Sequence, residues 1–485
     1  MNIDQLEPRA IWQNFARLNA VPRPSKKEAR IVAFVKAFGE DLGLKTQVDR
    51  VGNVVIEKPA TAGRQDRKTV VLQSHLDMVH QKNEATAFDF ETQSIDMYVE
   101  GDWVKARGTT LGADNGIGVA AILSVLASDA LEHPPLVALF TVDEETGMTG
   151  AAQLESHCVK GDILLNLDTE KDTELSVGCA GGVDTILTGS YREEPVPPAY
   201  QRFTLQVEGL RGGHSGMDIH RGLGNANKIM NRLLSEAQDR ASACIVSIRG
   251  GGLRNAIPRE SQAQVVVPEE KTQAFETALR ALSTSIGLEY IHRDPDLTIR
   301  WTPAPPAEKR MVWADQKALL RALYACYNGV YKMSAVMEGL VETSSNLARV
   351  QVAEGRIQID TLQRSASESA KADVAHTVAS AFEAVGYHAA HTNAYPGWQV
   401  NLDSLILKRC QRVYEELFHE KPEVLAGHGG LECGLLLQHF PHMDAISFGP
   451  DILGAHSPDE CVKISSVQKF WRFLCAVLEA IPKRD

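Results

Sequence analysis

Apolar and polar positions along this chain follow two rhythms, and the change from one to the other divides the sequence. From about residue 27 to residue 180, short apolar runs alternate with segments of helical period. The runs "KTVVLQ" (68–73), "LVALFTV" (136–142) and "DILLNL" (162–167) lack polar alternation, so each predicts a strand covered on both faces. Between the first two, "NGIGVAAILSVLAS" (115–128) places apolar residues at helical spacing and opens after Asp114. Strands and helices in turn predict an α/β layer, a sheet with helices packed on it.

Beyond residue 200 the strands alternate. "RFTLQVEGL" (202–210) sets Phe203, Leu205 and Val207 on one face, as a strand with one wet side does. A glycine-rich turn then leads into the helix "NANKIMNRLLSEAQ" (225–238). The same order returns over 263–286, and again in "GRIQIDTLQRS" (355–365) with "KADVAHTVASAFEAVG" (371–386). This predicts an α+β domain inserted into the first one. After about residue 395 the α/β character resumes, with a helix over 402–418, the strand-like "DAISFG" (444–449) and a closing amphipathic helix over 465–481. The expected division is a discontinuous domain, 1–184 plus 394–485, around an insert at 185–393.

Composition narrows the class of partner. A chain of 485 residues allows two or more domains, and 44% hydrophobic with 23% charged residues describes a globular protein. A net charge of −12 argues against a nucleic-acid backbone or an anionic membrane as main partner, so small substrates fit better. The opening "MNIDQLEPRAIWQNFARL" carries Asp4, Glu7 and Arg9 and no apolar stretch of signal or spanning length, which predicts a cytoplasmic protein. Eight cysteines, at 158, 179, 244, 326, 410, 433, 461 and 475, lack metal-ribbon or redox spacing and read as reduced thiols.

The candidate chemistry gathers where the apolar runs stop. In "VVLQSHLDMVH" (70–80), His75 and Asp77 are two residues apart and share one side of a strand end, so one can bind a ligand that the other steers. Glu144 and Glu145 follow the second run, Asp168 the third, and His456 stands in "GPDILGAHSPDE". Asp114 joins them through "TTLGADNGIG", the loop into a helix. In open α/β sheets ligands bind beyond the carboxyl ends of the strands. Two histidines and at least three carboxylates there suit Zn²⁺ or Mn²⁺, and a bridging carboxylate would allow two ions about 3.5–4 Å apart. Glu144 and Glu145 repel each other unless positive charge sits close; one can bind metal while the other accepts a proton.

Taken in order, "SHLDMV", "GTTLGADNGIG", "DEETGMTGA", "NLDTE", "GGHSGMDI" and "GAHSPDE" resemble the M20 metallopeptidases, and within them the aminoacyl-histidine dipeptidases, over nearly the whole chain. The resemblance implies a zinc-peptidase-like catalytic domain with a mixed, mostly parallel sheet, an inserted α+β lid, and a homodimer joined through the lid. It implies two Zn²⁺ per subunit, with Co²⁺ or Mn²⁺ accepted by the same ligands. Asp114 would bridge them, His75 and Asp168 completing one site and Glu145 and His456 the other. Glu144 would be the general base, and Asp77 would hydrogen-bond the far nitrogen of His75. In the insert, His214 would stabilise the developing oxyanion when the lid closes. Asn255 in "GGLRNAIP" and Arg364 in "LQRSASES" would bind substrate, the planar Arg fork suiting a free carboxylate. The implied reaction is hydrolysis of dipeptides, Xaa-His such as β-alanyl-histidine among them.

Residue types and spacing alone support only metal-assisted amide hydrolysis. A tripeptidase, carboxypeptidase or N-acyl amino acid deacylase is the rival activity, and a non-catalytic metal- or peptide-binding protein the rival class. Retention of Glu144 beside a full ligand set favours catalysis, since storage has no need of a base. His220 in "DIHRG" is a second candidate for the role of His214, and Asp77, Asp114 and Asp168 are also suited to helix caps or turns. His80, His428 and Glu432 carry no assigned role, and His388 and His391 are expected at a surface or between domains.

Overall fold

The uninterrupted apolar runs become the centre of one sheet. The computed structural model of the chain describes residues 3–484, which divide into two units. Unit 1 is Met1–Gly178, Val400–Ala426 and Leu431–Asp485; unit 2 is Cys179–Gln399 and Gly427–Gly430. The sheet of unit 1 has the order Lys45–Val48, Val54–Lys58, Leu136–Thr141, Val70–His75, Ile163–Asn166, Asp444–Ser447, Glu174–Cys179 and Glu423–Gly427. Its four central strands, from Leu136–Thr141 to Asp444–Ser447, run parallel, and antiparallel pairs extend it at Val54–Lys58 and Lys45–Val48. It is a mixed sheet in an α/β unit.

Every residue of Leu136–Thr141, Val70–His75 and Ile163–Asn166 is buried, as expected of parallel strands covered on both faces. Register sets His75 beside Thr141, Gln73 beside Asn166, and Asn166 beside Ser447. The four carboxyl ends therefore finish side by side, and whatever follows each strand emerges at one edge. Helix Ala113–Ala127 is buried from Asn115 to Leu126, which explains why it is apolar all round. Gly118 sets its closeness to the sheet: a Cβ there would lie 2.5 Å from Ser74 Oγ and 2.7 Å from the Leu167 carbonyl oxygen.

The closing helix Ile464–Glu479 buries Val467, Phe470, Phe473, Leu474 and Val477 at helical spacing. Phe448, just past Asp444–Ser447, meets Phe470 and Phe473 at ring-centroid distances of 6.0 and 4.9 Å. Burying one such side chain contributes about 1.5–3 kcal/mol. A small antiparallel sheet of Met97–Glu100, Trp103–Ala106, Cys461–Lys463 and Ile452–Leu453 completes the unit. His456 lies in the loop between the last two of these strands.

Unit 2 is built on an antiparallel sheet with helices against it. Its order is Thr298–Pro303, Tyr200–Glu208, Ser261–Pro268, Cys244–Gly250, Val341–Ala353, Arg356–Ser365, Gly181–Ser190 and His388–Tyr395, with Gly329–Met333 paired to Val341–Ala353. Helices Ala226–Ala241, Thr272–Tyr290, Trp313–Ala325 and Glu368–Glu383 supply Leu233, Phe275, Leu319 and Phe382 to one apolar core. Asn225 caps the first of them, accepting from the amides of Asn227 and Lys228. His388 and His391 sit on an edge strand, both exposed. Among the described residues no helix is long and apolar enough to cross a membrane.

Candidate metal centre

Two histidines and three carboxylates of unit 1 converge at the carboxyl edge of its sheet. His75 ends its strand with Nε2 3.1 Å from Asp114 Oδ1 and 3.4 Å from Asp168 Oδ1. His456 Nε2 lies 3.2 Å from Asp114 Oδ2 and 3.0 Å from Glu145 Oε2. Asp114 thus turns one oxygen toward each histidine. The donors form two groups, His75 with Asp168 and His456 with Glu145, sharing a single carboxylate. His75, Asp114 and Glu145 each offer a ligand atom within 4.8 Å of the others.

The spacing fits metal ions. A tetrahedral Zn²⁺ holding nitrogen and oxygen ligands at about 2.0–2.2 Å separates those ligand atoms by about 3.3–3.6 Å, close to the observed contacts. Glu145 Oε1 adds a second indication, since it is buried without a hydrogen-bond partner among the described residues. An orphaned carboxylate oxygen is costly unless a cation meets it. The arrangement is that of a dinuclear zinc-type centre.

The electrostatics point the same way. Burial disfavours the His75 imidazolium, but the charge of Asp168 and hydrogen bonds to Asp114, Asp168 and Asp77 outweigh it and hold His75 well above the ordinary imidazole range. Hydrogen bonds to Asp114 and Glu145 push His456 up to about 11. Asp114 is buried, yet the two histidines draw it below the usual carboxylate range. Burial raises Glu144 well above its usual value, and Asp168, Glu145 and Glu432 add to the rise against His75. Protein stripped of metal by a chelator should therefore carry protons on both histidines at neutral pH. Metal uptake must displace them, so it should release a proton from each of His75 and His456, and apparent affinity should fall about tenfold per displaced proton for each pH unit of acidification. Titration calorimetry in buffers of different ionisation enthalpy measures this; uptake without proton release would contradict it.

Asp77 holds more than one partner. Its Oδ1 lies 3.4 Å from His75 Nδ1, while its carbonyl oxygen is 3.2 Å from the same nitrogen. The carboxylate also accepts the backbone N–H of Glu144 at 3.0 Å and of Glu145 at 3.2 Å, and the Ser25 hydroxyl at 2.8 Å. One side chain therefore fixes His75 and the turn carrying both adjacent acids. Asn115 donates to the carboxylate of Asp168 and, at 3.0 Å, to the carbonyl of Leu167. Two loops at the centre carry left-handed non-glycine residues, Asp143 (φ 54°) and His456 (φ 66°), at about 1–3 kcal/mol each.

Three supporting residues had no role assigned from the sequence. Glu460, buried, accepts the amides of Leu111, Gly112, Ala113 and Asp114 at 2.7–3.2 Å. It ties the loop of His456 to that of Asp114. Arg23, also buried, donates to the carbonyls of Leu76, Asp77 and Gly112. Glu432 lies beneath the edge, its Oε2 accepting from Gln73 at 2.6 Å and Thr141 at 2.7 Å; burial pushes it up to about 7.

The remaining candidates belong to unit 2. His214 Nδ1 accepts the amides of Gly216 and Met217 at 3.3 and 3.1 Å, which leaves the proton on Nε2. Burial and then the charge of Arg364 lower its pKa, so the ring is neutral at neutral pH. Arg364 Nη2 lies 3.4 Å from that Nε2, and Nη1 donates to the Tyr395 hydroxyl at 2.8 Å. Asn255 is exposed, and its carbonyl accepts from Ser215 N at 2.8 Å. His220 is exposed, and His428 is buried with Nε2 2.7 Å from Ser344 Oγ.

Comparison with known proteins agrees with this geometry. A sequence model of peptidase family M20/M25/M40 matches residues 71–480. The chain is 39% identical over 482 residues to the cytosol non-specific dipeptidase of Escherichia coli (strain K12), covering 99% of each. Among solved structures, aminoacylhistidine dipeptidase from Vibrio alginolyticus matches with a TM-score of 0.93 at 42% identity, over 100% of this chain and 99% of that one. Aminopeptidase PepT from Bacillus cereus, at 15% identity and a TM-score of 0.61 over 98% and 99%, shares the fold.

Proposed function

This chain belongs to peptidase family M20/M25/M40, and on that premise we propose that it is a dizinc dipeptidase acting on Xaa-His substrates, β-alanyl-histidine among them. It is a metallo-hydrolase of peptide bonds, of the dipeptidase type. One observation carries the two-ion reading: the division of the Asp114 carboxylate between the His75 and His456 groups. His75, Asp168 and Asp114 would hold one Zn²⁺, and His456, Glu145 and Asp114 the other. The chemistry a bound pair supplies is acidification of the nucleophilic water and polarisation of the scissile carbonyl.

Glu144 takes the proton from that water and returns it to the leaving amine. Its turn is fixed for the task by the two amides held on Asp77. His214, a neutral Nε2–H donor, serves the developing oxyanion. Arg364 takes the substrate's free carboxylate. In support, Arg364 is buried and pairs with no carboxylate among the described residues, and its Nε has no partner. An unpaired buried guanidinium favours an anionic ligand. Asn255, on its exposed loop, adds a substrate contact.

Demand for a free carboxylate on the residue after the scissile bond limits substrates to dipeptides. Charge-assisted hydrogen bonds contribute about 1.5–3 kcal/mol, so kcat/KM for a free dipeptide should exceed that of its C-terminal amide by about ten- to hundredfold, and Arg364→Met should erase the difference. Faster cleavage of tripeptides, or of N-acylated amino acids, would transfer the chain to another activity of the family. As assembly we take a cytoplasmic homodimer joined through unit 2. Exposed Tyr331, Met333 and Val336 on that unit support this.

A further inference from the structure

Away from the metal centre, unit 1 presents three donors of mixed chemistry on one short turn. Glu155, His157 and Cys158 flank or form the 3₁₀ turn Ser156–Cys158. Each offers a ligand atom, and all three atoms lie within 4.8 Å of one another. Cys158 Sγ is 3.5 Å from His157 Nε2. A tetrahedral Zn²⁺ with Zn–S about 2.3 Å and Zn–N about 2.0 Å separates its sulfur and nitrogen ligands by about 3.5 Å. The two side chains already stand at the bite such an ion requires.

The backbone beneath them is fixed. Cys158 N donates to the Glu155 carbonyl at 2.9 Å, closing the turn, and Gln47 Nε2 on the edge strand donates to the Cys158 carbonyl at 3.0 Å. Among the described residues the Glu155 carboxylate is paired with Arg50 alone, 3.7 Å away and largely exposed, a contact of little energy. Its carboxylate is free to turn onto a cation. Thiolate, imidazole and carboxylate together select a borderline-soft ion over Mg²⁺ or Ca²⁺.

We propose that Glu155, His157 and Cys158 form a second, peripheral Zn²⁺ site, with solvent in the fourth position. Binding breaks the Cys158 S–H bond, forms the S–Zn bond and releases one proton to solvent. Because a proton competes with the ion for the sulfur, affinity rises with pH. The inference is independent of the peptidase reading.

Cobalt(II) tests it. Thiolate-to-cobalt charge transfer absorbs in the near ultraviolet, whereas the imidazole and carboxylate groups of the metal centre contain no sulfur and give no such band. Titrating protein that carries only two Zn²⁺ per chain, enough for the metal centre alone, with Co²⁺ should produce one saturable band, at one Co²⁺ per chain. Cys158→Ser should abolish it, and His157→Ala and Glu155→Gln should weaken binding at least about tenfold, since even the outer hydrogen-bond partners of a metal ligand carry about 10–100-fold in affinity. Cys475→Ser, at the other partly exposed cysteine, should leave the band intact. Absence of the band, its survival in Cys158→Ser, or its loss in Cys475→Ser overturns the assignment.

Discussion

Glu144→Gln is expected to lower kcat on a dipeptide by about two to four orders of magnitude, the range that a positioned general base contributes. Metal content should not change. The carboxylates facing the Nε2 atoms of His75 and His456 are Asp114, Asp168 and Glu145, and Glu144 is not among them. Its backbone N–H is held by Asp77, and glutamine preserves both that amide and the side-chain volume. The loss should therefore appear in kcat, with KM little altered, because the missing proton acceptor matters in the transition state. Steady-state kinetics paired with elemental analysis of the same sample checks this. Wild-type turnover in the variant would remove Glu144 from the chemistry, and a parallel loss of metal would make it a ligand.

Asp114→Asn should have the larger structural consequence. Each Asp114 oxygen faces a different histidine, 3.1 and 3.2 Å away, and asparagine offers one neutral oxygen and one amide that cannot bind a cation. Both ion positions lose a negative ligand through one substitution. Zinc should fall well below two per chain. Because metal-ion catalysis is worth several kcal/mol and each ~1.4 kcal/mol is tenfold in rate, activity should drop about 10³-fold or more. Retention of Glu460 on the amides of residues 111–114 should keep the loop folded, which circular dichroism can verify. A variant that keeps two ions and full activity would contradict the bridging role.

The convergence of the candidate side chains was legible in the sequence where they follow an uninterrupted apolar strand. His75, Glu145 and Asp168 each stand within a few residues of a buried run, and strands in register must bring their ends together. The contacts that hold those side chains were not legible. Glu460 reaches amides nearly 350 residues earlier in the chain, and Arg23 binds carbonyl oxygens, which every residue possesses. No periodicity records such backbone recognition. Asp77 is intermediate: its proximity to His75 could be read from alternation, whereas its grip on the amides of Glu144 and Glu145 depends on the neighbouring strand.

In unit 2, Gly181–Ser190 and Val341–Ala353 escape an apolar pattern search for a different reason. Their buried faces carry Thr185, Thr343, Ser344 and Ser345. These polar side chains find partners across the sheet, as in Thr185 with Gln363 at 2.6 Å and Thr343 with Ser365 at 2.9 Å. Burial satisfied by cross-strand hydrogen bonds leaves no hydrophobic alternation to detect.

Anomalous diffraction at the zinc edge from crystals of the zinc-loaded protein tests the central claim most directly. Two peaks about 3.5–4 Å apart are predicted at the carboxyl edge of the unit 1 sheet, one oxygen of Asp114 on each, with His75 and Asp168 on the first and Glu145 and His456 on the second. A single peak there, or two peaks that Asp114 does not join, would contradict it.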